Sequence, residues 1–144
     1  MHCRVIWEGH GVYQRFHGMI TAAYFEEIYE EVQGDMRAEG VSYVISDFLD
    51  AHLTPYTSEE DALAFAELEK HRFYGSPDIV YAVVAKDPGM VALVQFLKER
   101  KALPCPLEVF PTVLDARKWI AANPRTRRAR MMARAAADES RPRA

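Results

Sequence analysis

Two carboxylates and an imidazole fall close together in the stretch SDFLDAHL: Asp47, Asp50 and His52. A little further on, Thr57 and Ser58 stand directly before Glu59 and Glu60. The first group has the residue types of a general acid and base. The two hydroxyls could accept phosphate near a helix N-terminus, where a dianion is favoured. An aspartate past the carboxyl end of a strand could also be a phospho-acceptor, because open α/β sheets place ligands there.

Each chemical reading has an ordinary counterpart. Asp47 and Asp50 fit turn residues that bond their own backbone. Thr57 with Glu60 fits a capping box, which accounts for the hydroxyls without phosphate, and Glu59, Glu60 and Asp61 would repel one. A receiver-like aspartate needs an acidic pair after the first strand and a lysine after a late one. Gly9-His10-Gly11 and Phe110-Pro111-Thr112 supply neither. His10, His17, His52 and His71 are dispersed, with no HxxxH or HExxH pair. The two cysteines, Cys3 and Cys105, make no CxxC, so the sequence announces no metal centre, redox pair or Cys–His couple. GxGxxG, GxxxxGK[ST] and GxSxG are absent. No cofactor is expected.

The elements that must position these residues can be read from periodicity. CRVIWEG and GVYQRFHGMI alternate as strands, and Gly9-His10-Gly11 between them predicts a hairpin. Thr21 caps a helix predicted over about 22–34, with Phe25, Ile28 and Val32 on one face and Gly34 as its stop. Val41 to Leu49 reads as a third strand, which leaves Asp50 and His52 in a following loop. The next helix is predicted over about 58–74 with Thr57 as its cap. Ile79 to Ala85 is continuously apolar, as in a central parallel strand covered on both faces. Asp87-Pro88 opens a helix on which Met90, Leu93, Val94 and Leu97 form one stripe. Leu107 to Phe110 is a short strand, and Thr112 starts a helix that buries Ala116, Trp119 and Ile120 before Asn123-Pro124. The fold class is therefore α/β: a mixed sheet of about five strands, an antiparallel hairpin followed by alternating helices and parallel strands.

With 49% hydrophobic and 27% charged residues, the chain has the balance of a folded globular domain. It holds no apolar run near the ~20 residues that span a bilayer, and its first residues, MHCRVIWEGH, do not read as a signal peptide. Cytoplasmic residence is the expectation. Residues 1–122 hold 11 basic and 19 acidic residues, whereas 123–144 hold seven arginines and two acids. The expected organisation is an α/β domain over 1–122 and an Arg/Ala-rich basic tail over 123–144. That tail is read as helical over 127–137 and disordered at its end.

The stretches GVYQRFHGMITAAYFEEI, YVISDFLDA, IVYAVVAKDP and VFPTVLDARKWI, in this order over about 1–122, resemble the SpoIIAA-like branch of the STAS domains (sulfate transporter and anti-sigma-factor antagonist). The resemblance implies that fold and a non-enzymatic, protein-binding or regulatory module. It also implies a phospho-acceptor serine in an Asp-Ser-Ser-Gly-like motif, after the third strand at the start of the next helix. Thr54, Thr57 and Ser58 occupy that region here, without the acid before or the glycine after.

On this reading Thr57 and Ser58 are the phospho-acceptor candidates, and Asp47, Asp50, His52 and Tyr56 form a partner or ligand surface. A protein partner bound through the 50–74 region is the first expectation, and a homo-oligomer fits as well. The second is a carrier or sensor of a small apolar ligand such as a lipid, held by aromatics among Tyr24, Phe25, Tyr29, Phe65, Phe73 and Tyr74. A small hydrolase using Asp47 to His52 comes last. Nucleic-acid binding is not expected, because the body is acidic and shows no base-stacking platform.

Overall fold

The computed structural model describes residues 3–33, 40–54, 57–70 and 78–140. In chain order these form β1 (Cys3–Trp7), β2 (Gly11–Ile20), α1 (Ala22–Gln33), β3 (Tyr43–Leu53), α2 (Glu59–Lys70), β4 (Val80–Val84), α3 (Pro88–Glu99), β5 (Leu107–Phe110), α4 (Val113–Ala122) and α5 (Pro124–Ser140).

The hairpin predicted around Gly9 is present. Gly9 turns the chain at φ +67, and the Glu8 amide donates to the Gly11 carbonyl at 2.8 Å. β1 pairs antiparallel with β2, and every later pairing is parallel. The sheet order is the chain order, β1-β2-β3-β4-β5.

That order decides where the helices lie. Crossovers of one hand that always advance the same way place their helices on one face. α1, α2 and α3 accordingly share a core with the inward residues of the sheet, among them Val12, Phe16, Val44, Phe48 and Val83. α4 follows the last strand and packs on the opposite face, where Ala116 and Ile120 meet Tyr43, Ile45, Val80, Ala82 and Val84. β4 is covered on both sides and fully buried, as its unbroken apolar run predicts. Over β1 and β2 the second face is open: Arg4, Ile6, Arg15 and Met19 are exposed.

Three local expectations need correction. β3 does not end at Leu49 but runs to Leu53. Its register to β2 shifts between Arg15↔Asp47 and His17↔Asp50, so β3 bulges, and it then continues to Ile20↔Leu53. β2 is ten residues long, and its far half needs backbone partners that only a longer β3 supplies. Asp47, Asp50 and His52 are consequently strand residues, not turn or loop residues. The cap of α2 is displaced by one position. Ser58 Oγ accepts from the Asp61 amide at 3.2 Å, and Asp61 Oδ2 accepts from the Ser58 amide at 2.9 Å. The capping box is Ser58–Asp61, not Thr57–Glu60. The helix within the basic tail is longer than 127–137, running Pro124–Ser140. Gly34, His71, Phe73 and Tyr74 lie outside the described residues.

Candidate functional site

Asp47 is buried on the α4 side of the sheet. One of its oxygens accepts from the Tyr13 hydroxyl on the neighbouring strand, and the other accepts from the Leu49 amide at 3.0 Å across the bulge. Burial, then the bond to Asp47, pushes the Tyr13 phenol up to about 12. Asp50 pairs with Arg15, whose Nε lies 3.1 Å away. His52 is exposed on the same strand.

Beside them Arg117 of α4 donates to both oxygens of Glu8, at 3.1 and 2.8 Å, and the Tyr43 hydroxyl donates to the same carboxylate at 3.0 Å. Burial alone would raise the Glu8 carboxyl, but the bonds from Arg117 and Tyr43 outweigh it and leave it below its ordinary value. These pairs tie α4, the hairpin turn, β2 and β3 together. Asp47, Asp50 and His52 do not converge on a cleft: one carboxylate is saturated inside the sheet, the next is held by a guanidinium, and the imidazole faces outward.

Thr57 Oγ1 lies 2.8 Å from Thr54 Oγ1, and the Thr57 amide donates to the Thr54 carbonyl at 3.1 Å. Ser58 is exposed and occupied as the α2 cap. Tyr56 lies outside the described residues. Among the described residues no group of three His, Cys, Asp or Glu could hold a metal ion. Burial, with Glu31 adding to it, pushes the Cys3 thiol up to about 12, so it is held as an unreactive core thiol.

The opposite face of the sheet holds a cavity of about 120 Å³ between β2, β3, β4 and the three crossover helices. Its aromatic wall is continuous. Phe16 stacks on Phe48 at 4.4 Å, Phe25 meets both at 5.9 and 5.8 Å, and Phe65 meets Phe25 at 5.2 Å. Met90, Val94 and Leu97 of the α3 stripe line the other side. Among the described residues the half-exposed lining comes from all three helices and the end of β3: Ala22, Phe25 and Tyr29 of α1, Leu53, Thr57 with Asp61, Ala62 and Phe65 of α2, and Leu93 of α3. Part of this rim lies beside the end of β3, at the helix start that carries the two hydroxyls. Phe25, Tyr29 and Phe65, named above as possible ligand aromatics, all line this space.

The cavity also has a polar floor. Gln14 and Ser46 sit in the sheet where their neighbours on the same face are Val12, Phe16, Val44 and Phe48. The Ser46 hydroxyl donates to Gln14 Oε1 at 3.1 Å and lies 3.1 Å from the Tyr81 hydroxyl. Glu69 of α2 lines the same space and is 1% exposed. None of these four was singled out as a site residue from the sequence. The available signal was a polar residue interrupting an apolar face, at Gln14 in β2 and at Ser46 in β3.

No family model and no curated protein matches the sequence. In shape, the chain is similar to a crystal structure from Shewanella loihica PV-4, that of an uncharacterized protein from the DUF3478 family with a SpoIIAA-like fold. The two share 12% sequence identity at a TM-score of 0.54, over 81% of this chain and 90% of the other. Among the described residues no helix is long and apolar enough to cross a membrane.

Proposed function

We propose that this chain, whose fold is SpoIIAA-like, is a non-enzymatic binding module that carries or senses a small apolar ligand in the cavity between its sheet and its crossover helices. The observation that carries this reading is the cavity itself. Its volume is close to the ~150 Å³ at which an apolar protein cavity takes up benzene. Its walls are aromatic and aliphatic, and its half-exposed rim includes the start of α2. The non-enzymatic part rests on the Asp47, Asp50 and His52 geometry, in which no acid and base face a shared space.

Native mass spectrometry of freshly purified protein is the direct test, with a co-purifying small mass expected. A ligand at a hundred times its Kd adds ~2.7 kcal/mol of stability, enough for a clear rise in Tm. Ala62→Trp crowds the rim from a half-exposed helix position and should abolish that rise while leaving the empty protein folded. Protein that is always empty, and whose Tm no apolar compound raises, refutes the reading.

A regulatory protein contact through the 50–74 region is the second reading. The specific observation in its favour is that Thr57, Asp61 and Ala62 at the rim belong to that region, so filling the cavity acts on the surface a partner would meet. Hydrogen exchange of the α2 amides should slow when a ligand binds. Unchanged exchange in a demonstrably filled protein removes the link between cavity and surface.

A further inference from the structure

Leu97, Leu103 and Leu107 line the apolar cavity and also a separate open cleft of about 390 Å³. We propose that this cleft binds a small organic phosphate monoester, with its phosphoryl head on Lys101 and Arg125 and its apolar body on the leucine and proline walls. The end of α3, the connector 103–106 and Arg125 in the first turn of α5 enclose it. Its charged lining is Lys98, Lys101 and Arg125, with no acid among the described residues. That runs against the balance of residues 1–122, where 19 acids face 11 bases. Lys98 is already paired with Glu108. The side chains of Lys101 and Arg125 have no hydrogen-bond or acid partner among the described residues.

An unpaired surface lysine is ordinary, but the place of Lys101 is not. α3 ends in a Schellman turn, in which the Ala102 amide donates to the Leu97 carbonyl at 3.0 Å and the Lys101 amide to the Lys98 carbonyl at 3.1 Å. Lys101 holds the left-handed position of that turn at φ 50, alone among the described non-glycine residues in having a positive φ. Glycine takes such a position without strain, and a residue with a Cβ does not. The helix end does not need this lysine, because Lys98 and Arg100 already complement its dipole. A cation kept at a strained position in the lining of a cleft is accounted for by an anion. Two unpaired cations match a charge near −2, which a phosphate monoester carries and a single carboxylate does not. The Arg125 fork can take two phosphoryl oxygens at once. The volume is within the ~300–1,000 Å³ of small-molecule clefts, so a ring has room on the Leu103, Pro104 and Pro106 walls.

The test titrates the full chain with phenyl phosphate, benzoate and inorganic phosphate at one ionic strength, following backbone amide shifts by NMR. The amides of Lys98, Lys101, Ala102, Arg125 and Thr126 should move, and those of Phe16 and Phe48 should not. Phenyl phosphate should bind with a Kd at least about tenfold below those of benzoate and inorganic phosphate. Lys101→Gly should raise Tm by relieving the turn and yet weaken phenyl phosphate at least about fivefold, a split that a purely structural lysine would not give. Arg125→Gln, at a half-exposed side chain without a partner, should weaken it similarly at unchanged Tm. Unaltered binding in both variants, or no binding of phenyl phosphate to the wild type, overturns the site. Benzoate or inorganic phosphate binding as tightly as phenyl phosphate overturns the monoester class. Shifts that fall on Phe16 and Phe48 instead put the ligand in the apolar cavity, which overturns this proposal and leaves the cavity reading standing.

Discussion

At the scale of single residues, the Tyr13–Asp47 pair is the clearest case of a side chain that looked chemical and is structural. Tyr13→Phe would strip one partner from a buried carboxylate, a loss of ~1–3 kcal/mol that urea denaturation would register. The same pair sets a pH dependence. The phenol is raised from an ordinary 10.0 to about 12 in the folded chain. Its stabilising contribution is therefore complete below pH ~10 and lost as the pH climbs toward ~12. Tyr13→Phe should flatten that part of the stability profile. A wild-type profile already flat through this window would contradict the assignment.

Glu8 acts in the opposite sense. Its carboxyl is depressed, so its contribution is present above the ordinary carboxylate range and fades as the pH falls through its folded value. A double-mutant cycle on Glu8→Gln and Arg117→Met should give a coupling of ~0.5–1 kcal/mol, because the pair is bidentate but partly open to water.

Gly11 shows a different kind of constraint. A Cβ placed there would sit 2.2 Å from the Tyr43 ring. Gly11→Ala should cost ~1–3 kcal/mol through overpacking. None of these pairings could be read from the sequence, since each joins residues that only the strand register brings together. The identity of the buried faces could be read: Val12 and Phe16, or Ala116 and Ile120, fall where periodicity put them.

At the scale of elements, the sequence predicted each helix and strand in the right order and misplaced the end of β3 and the cap of α2 for one physical reason. Propensity describes a segment alone, whereas β3 is extended by its neighbour and α2 is capped by whichever hydroxyl the preceding turn presents. Phe48-Leu49-Asp50 reads as a strand ending in a turn, and the bulge that carries pairing past Leu49 leaves no mark in composition. The cap correction has a direct test. Ser58→Ala should cost ~1 kcal/mol of stability. Thr57→Ala should cost less, because Thr57 makes only a turn contact to Thr54. Equal losses at the two positions would restore the original placement.

α5 makes a similar point from the other side. It begins firmly, with Asn123 Oδ1 accepting from the Arg125 amide at 3.0 Å and Thr126 buried. Beyond that its described side chains are exposed, Met131 at 70% and Met132 at 65%.

At the scale of the whole molecule, the two faces of the sheet have different work. One is covered by three helices and encloses the cavity. The other is half covered by α4, stitched down by the Glu8–Arg117 and Phe110–Trp119 contacts, and open over the hairpin. Native-state hydrogen exchange should follow this asymmetry. The amides of β4 and of the first half of β3, buried on both sides, should exchange slowest, and those of β1 fastest. Comparable protection at β1 and β4 would mean that the open face is covered in solution. The SpoIIAA-like layout was legible because the order of patterns alone specifies it. Of the cavity only the aromatic supply was legible, Phe25, Tyr29 and Phe65 among it; its volume was not, because an empty space is a property of how Phe16, Phe25, Phe48 and Phe65 fit together and of no residue among them.

The strictly consecutive strand order bears on how the molecule is made. Synthesis releases the hairpin first, and each later strand needs only the one just before it as a template. Apart from the far end of β2, which pairs only with β3, no strand waits for a partner still inside the ribosome, and the edge left waiting at any moment is a single strand long. A circularly permuted chain that begins at β4 would forfeit this, since its earliest product would be the far rim of the sheet with nothing yet laid down beside β3. Such a permutant should reach the same native structure by slower refolding, with more loss to aggregation along the way.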